Sequence, residues 1–265
     1  MTGTLALVGA VVGAVLALTG AGGGVLAVPL LVFATGLSVQ QAAPLALLAV
    51  GVAAGTGAWL GWREGVLRYR AAALVGGLGL LTAPLGVWLA QRLPPEPLLL
   101  GFAGVMLLTA RRMARRDPVR DGSEALDGRP CRVNPDEGRL HWTAPCAWVL
   151  ATTGVAVGLV GGLLGVGGGF VIVPALTRAT DLDTRSITTT SLGAVALSAV
   201  GGLAGALQFG QLDGLQAGVF SGSAIVALLL GRRVAGQLPS RTLRRLFAAV
   251  CVVVALLLLA RVLLR

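Results

Sequence analysis

The stretch Gly20-Ala21-Gly22-Gly23-Gly24, followed by Pro29, returns as Gly165-Val166-Gly167-Gly168-Gly169, followed by Pro174, and each copy interrupts an otherwise apolar run. The offset of 145 holds without a gap from Gly20/Gly165 through Thr35/Thr180 and Leu37/Leu182 to Leu93-Pro94/Leu238-Pro239 and Phe102/Phe247. Chance matches do not keep register over such a length, so the chain reads as a duplication. Its first copy covers residues 1–110, its second 146–265, and a linker spans 111–145.

Hydrophobic residues make up 55% of the chain and charged ones 12%, about half the charged share of a soluble domain. Apolar runs at roughly 5–35, 42–61, 71–90, 97–110, 146–177, 186–207, 214–231 and 246–260 approach the ~20 residues that cross a ~30 Å hydrocarbon core. A barrel would show short alternating strands instead. The expected class is an all-α polytopic membrane protein with the lipid bilayer as its surroundings. The N-terminus lacks the basic flank of a secretory leader and is read as mature structure.

The net charge of +10 is carried by Arg, because the chain has no Lys. No loop interleaves aromatics with these charges, so no nucleic-acid partner is expected. The Arg residues gather in four segments: Arg63, Arg68 and Arg70; the linker, Arg111 to Arg139; Arg178 and Arg185; and Arg232, Arg233, Arg241, Arg244 and Arg245. Short basic loops are retained in the cytoplasm. Eight plain crossings would push the last segment outside. The conflict disappears if residues 5–35 and 146–177 are hairpins that turn at their glycines, leaving three crossings in each half. Three is odd, so the second half inserts upside down. The expectation is two inverted repeats with opposed re-entrant hairpins, each arm about 12–15 residues long, and a cytoplasmic linker. Eight spans with a weak charge signal is the alternative.

Irregular backbone at membrane depth is tolerated only where protein buries it or a cavity receives it. A half-helix starting after a glycine turn presents free N–H groups and the positive end of its dipole, which favour an anion. Paired Gly/Pro-interrupted segments in corresponding positions of two halves point to a midplane substrate site in secondary transporters. Gly22, Gly23, Gly24, Gly167, Gly168 and Gly169 are therefore candidate substrate-binding residues, with Pro29 and Pro174 shaping the helices behind them. Close helix packing is the competing role for these glycines. Neither cluster is followed by Gly-Lys-Ser/Thr, so this is not a nucleotide P-loop.

Thr188-Thr189-Thr190-Ser191 opens the crossing after the second hairpin. Thr190 and Ser191 are candidates to donate to an oxyanion, or to bond back to their own helix. The first half has Pro44, Leu45 and Ala46 at the matching positions, with Gln40 and Gln41 as partial substitutes. Arg178, Asp181, Asp183 and Arg185 cluster after the second hairpin as a gate or an internal ion-pair network. The acidic residues fall in loops or near membrane ends, which disfavours a carboxylate relay. Cys131, Cys146 and Cys251 show no C-x-x-C spacing and read as unpaired. His141 lies at a loop-to-membrane boundary. No catalytic residue, metal or cofactor is expected.

The second half, GLVGGLLGVGGGFVIVPAL from Gly158, TTTSL from Thr188 and GRRVAGQLPSRTLRRLFA from Gly231, resembles the sulfite exporter TauE/SafE family of bacterial and archaeal permeases. The first half repeats it as TGAGGGVLAVPLL from Thr19 and APLGVWLAQRLP from Ala83. The resemblance implies export of small sulfur-containing anions such as sulfite or organosulfonates across a prokaryotic inner membrane, with the glycine clusters as the site. It departs from the family at residues 43–46, where hydroxyls are missing. The resulting expectation is a secondary transporter working by alternating access. An anion channel, a carrier of another small organic anion and a packing scaffold are the rivals, an intramembrane enzyme is a weaker one because it would need a buried nucleophile and base, and a homodimer is compatible with the sequence.

Overall fold

The computed structural model describes residues 2–19, 22–115, 130–132, 142–209, 213–235 and 240–263. Among them the chain forms α1 (Thr2–Thr19), a 3₁₀ turn (Gly22–Leu26), α2 (Ala27–Thr35), α3 (Val39–Arg63), α4 (Tyr69–Arg92) and α5 (Pro95–Arg115). After the linker come α6 (Ala144–Leu164), α7 (Gly169–Ala179), α8 (Thr184–Ala206), α9 (Gly214–Ala235) and α10 (Ser240–Leu263). The helix starts are set by local chemistry. The Ser38 hydroxyl accepts from the Gln41 N–H while the Gln41 side chain accepts from the Ser38 N–H, a capping box for α3. The Thr143 hydroxyl accepts from the Cys146 N–H at the start of α6, and the Asp183 carboxylate caps α8.

Five of these helices are long and apolar enough to cross a membrane: Val39–Arg63, Tyr69–Arg92, Ala144–Leu164, Thr184–Ala206 and Gly214–Arg233. Their packing is inverted relative to a protein in water. Small residues meet inside, as where Gly51 faces Ala199 and Gly79 faces Ser198, while Leu81, Leu85, Val200, Val226 and Leu256 point outward and are more than half exposed. With lipid as apolar as leucine, association relies on close approach of small residues, and large side chains are left to the tails.

Arg185 and Arg232, from two of the Arg-rich segments, meet at one end of the helix bundle. Glu64, just after α3, pairs with Arg185 of α8 at 2.9 Å and with Arg232 of α9 at 3.3 Å. Arg232 also donates to the Gly57 carbonyl at 2.8 Å. The linker's Cys131 joins the same end, because its N–H donates to the Ala179 carbonyl, it bridges to Thr180, and its sulfur is bonded to Cys146. That disulfide corrects the reading of Cys131 and Cys146 as unpaired. Fifteen residues separate them, and only the fold brings the linker back over the start of α6. Cys251 is free and buried.

The same contacts fix how the chain turns at its glycines. Cys131 touches both Cys146, at the start of α6, and Thr180, at the end of α7, so this helix pair leaves from and returns to the Arg-rich end. The first pair opens toward the other end. α1 runs parallel to α9, with Gly9 beside Phe220 and Gly231 beside Ala17. α2 ends three residues before α3 begins, and Gln40 at that beginning donates to the Leu93 carbonyl just past the far end of α4. The arms are unequal, in contrast to the expected 12–15 residues each. α1 and α6 have 18 and 21 residues, whereas α2 and α7 have 9 and 11. The reason is that α6 continues through Gly158, Gly161 and Gly162 and stops only at Gly165. At 1.5 Å per residue α6 is ~31 Å long, about the thickness of a hydrocarbon core, and α7 is ~16 Å long.

Candidate functional site

The second glycine cluster folds back because three of its residues, Gly165, Gly167 and Gly168, take φ values of +65°, +71° and +72°. That left-handed region is costly for any side chain with a Cβ. The turn is tight: a Cβ on Gly161 would come within 2.7 Å of the Gly168 nitrogen. The first cluster solves the same problem with the 3₁₀ turn Gly22–Leu26, in which Gly23 lies against the backbone of Leu16. Gly20 and Ala21 lie outside the described residues.

The two turns meet. A Cβ on Gly24 would lie 2.8 Å from the Val166 carbonyl oxygen, and Val50 borders both clusters, 3.3 Å from a Cβ on Gly24 and 3.8 Å from one on Gly167. Val195, 145 residues after Val50, would lie 3.2 Å from a Cβ on Gly167. The structure thus brings Gly24 together with Val166 and Gly167 in one buried neighbourhood, with Gly23 and Gly169 adjoining them in the chain. α7 begins at Gly169; Val171 and Ile172 already donate to the Gly168 carbonyl, so Gly169 and Phe170 carry the N–H groups that precede the helical ladder at the positive end of its dipole. Pro29 lies in the first turn of α2, where no N–H is needed, and Pro174 lies inside α7, where it leaves one helical carbonyl unbonded.

Thr190 and Ser191 are buried but not at this meeting point. The Thr190 hydroxyl oxygen accepts from the Arg68 N–H at 3.1 Å and so ties the α3–α4 connection to α8. The Ser191 hydroxyl donates back to the Thr188 carbonyl at 2.7 Å. Gln40 and Gln41, expected as hydroxyl substitutes, serve the far end as a tether and a cap. The hydroxyl that does reach the glycine turn is Ser198, buried and donating to the Gly167 carbonyl at 3.0 Å and to the Val195 carbonyl at 3.1 Å. Its signal in the sequence was its place seven residues beyond Ser191, on the same helix face and about 10 Å deeper.

The charged cluster after α7 divides its work. Arg185 reaches across to Glu64. Burial works to raise the Asp183 carboxyl, but hydrogen bonds from the Ser186 hydroxyl and N–H and the Arg185 N–H outweigh it, so the group titrates below the usual carboxylate range. His141 lies outside the described residues.

The profile of the Sulfite exporter TauE/SafE family matches residues 5–258. Two curated relatives, both named "Probable membrane transporter protein", come from Xylella fastidiosa. The protein of strain 9a5c is 33% identical over 198 residues, covering 71% of this chain and 67% of the relative. That of strain Temecula1 / ATCC 700964 is 34% identical over 197 residues, with the same coverage. No solved structure is a significant match. A match over nearly the whole chain, on a helical fold with five helices long and apolar enough to cross a membrane, establishes that this chain belongs to the sulfite exporter TauE/SafE family of membrane transport proteins.

Proposed function

We propose that the protein exports a small sulfur-containing anion, sulfite or an organosulfonate, across a prokaryotic inner membrane, as a secondary transporter of two inverted repeats working by alternating access. The carrying observation is the meeting of the two glycine turns at Gly24 and Val166, each entered from an opposite end of the bundle. The anion would bind between them, facing the free N–H groups at the start of α7, with Ser198 orienting the Gly167 peptide. Glycine lets the backbone itself serve as ligand, because no side chain stands between an N–H and the anion.

The inverted repeat is supported by contacts that exchange under the offset of 145. Gly9 approaches the Phe220 carbonyl, and Gly154 approaches the Val75 carbonyl, with built Cβ distances of 2.5 and 2.7 Å. Gly13 likewise meets the Ala224 carbonyl, as Gly158 meets that of Gly79. Each residue of one pair lies 145 from its counterpart in the other. At helix level α9 packs on α1 as α4 packs on α6, and α3 and α8, like α5 and α10, pack on each other. Such an exchange is what a two-fold axis in the membrane plane produces, and it lets one half rock against the other. The sulfur-anion class rests on the family's description.

The test is exchange of radiolabelled sulfite by the purified protein in liposomes, with sulfoacetate, thiosulfate and sulfate as competitors. Saturable exchange is expected, and Gly168→Leu should abolish it. Ser198→Ala, which adds no bulk, should retain the fold and lower the rate. Well-folded protein that exchanges none of these anions would remove the sulfur-anion assignment.

A further inference from the structure

A cavity of about 270 Å³ opens at the Arg-rich end, away from the glycine turns, lined by Trp62, Arg68, Tyr69, Arg70 and Trp142 among others. We propose that it is a binding site for the phosphate group of an anionic phospholipid, with Arg68 as its principal ligand.

The first observation is an unpartnered guanidinium nitrogen. Arg68 lines the cavity, and among the described residues its buried Nε has no hydrogen-bond partner. A buried charged donor left without an acceptor is costly, and native structures rarely leave one unpaired. The nearest carboxylate in sequence is already engaged, since both oxygens of Glu64 accept from Arg232 and one also accepts from Arg185. The Arg68 main-chain N–H is likewise taken by Thr190. What fits is an oxyanion from outside the described residues, and a guanidinium matches the paired oxygens of a phosphate.

The second observation concerns depth. Trp62 and Tyr69 are 62% and 59% exposed and close the ends of α3 and α4, while Trp142 precedes α6. Beside them Arg63 stacks on Trp59 at 3.9 Å. Aromatic rings with Arg at helix ends mark the level of the lipid headgroups, and basic pockets between membrane helices on the Arg-rich side suit anionic headgroups. A free oxyanion would satisfy Arg68 equally well but gives exposed Trp62 and Tyr69 no role. A lipid presents its phosphate to Arg68 and its glycerol and upper chains to the rings. The site is independent of the transport reading.

The experiment follows the full-length protein in detergent by native mass spectrometry and thermal denaturation, with phosphatidylglycerol, phosphatidylcholine, inorganic phosphate or sulfite added. Phosphatidylglycerol should be retained and raise the melting temperature more than phosphatidylcholine. Arg68→Gln should weaken retention about tenfold or more, the loss expected for a charge-assisted hydrogen bond. Arg63→Gln, whose guanidinium lies on Trp59, should retain the lipid as wild type does. If Arg68→Gln does not fold, Arg70→Gln and Trp142→Ala serve, and each should weaken retention. Equal retention in wild type and the cavity variants would overturn the proposal. So would inorganic phosphate or sulfite protecting the wild type in an Arg68-dependent way while the lipid does not, which would make the cavity a free-oxyanion site.

Discussion

The Val166 carbonyl oxygen lies 2.8 Å from the place a Cβ on Gly24 would occupy, so the turns of the two halves approach each other closely enough that Gly24 has no room for a side chain. Gly24→Ala should therefore press on backbone rather than on a flexible side chain, destabilising by about 1–3 kcal/mol, the usual cost of overpacking. Thermal denaturation in detergent measures that loss. Anion exchange should fall further than stability alone explains, and a variant matching wild type in both would mean the turns separate freely.

Ser198→Ala removes the hydroxyl that donates to the Gly167 carbonyl. Its expected stability cost is about 1 kcal/mol. Ser191→Ala, whose hydroxyl only bonds back to Thr188, should cost less and leave exchange near wild type. Comparable loss of exchange in both variants would shift the site toward the Arg-rich end.

The Cys131–Cys146 disulfide ties the linker to the second hairpin at a separation of 15 residues. Cys131→Ser with Cys146→Ser should lower stability by about 3 kcal/mol, the loop-closure value for such a span. The proposed topology puts this pair in the cytoplasm, where disulfides are typically transient or redox-sensing. After reduction, a membrane-permeant maleimide should label both cysteines in intact cells and an impermeant one should not. Labelling by the impermeant reagent would place the Arg-rich end outside.

Asp183 caps α8 through the N–H groups of Arg185 and Ser186. Its carboxyl is depressed in the folded protein, so its contribution is present above the ordinary carboxylate value near 3.9 and is lost as pH falls through the lower folded value. Asp183→Ala should cost about 1 kcal/mol at neutral pH. The difference from wild type should shrink in melting curves taken below about pH 4.

Glu64 binds Arg185 and Arg232 at once, yet the Arg185 side chain is 66% exposed. Glu64→Gln should change stability by less than about 1 kcal/mol, and added salt should erase much of the difference. A larger, salt-independent loss would show that Arg232 depends on Glu64 to reach the Gly57 carbonyl.

The helical membrane class and the breaks at the glycines were legible in the sequence. Each is written in hydropathy or in backbone rules that act within a few residues: only glycine takes positive φ at little cost, as Gly165, Gly167 and Gly168 do. Only the tertiary structure decided that Ser198 rather than Thr190 or Ser191 reaches the Gly167 carbonyl, that Cys131 finds Cys146, and that a long arm is paired with a short return. Those outcomes depend on how far each helix runs and how it is rotated against its neighbours. Packing of small residues across the bundle sets both, and no local pattern encodes which distant backbone will be close enough to touch.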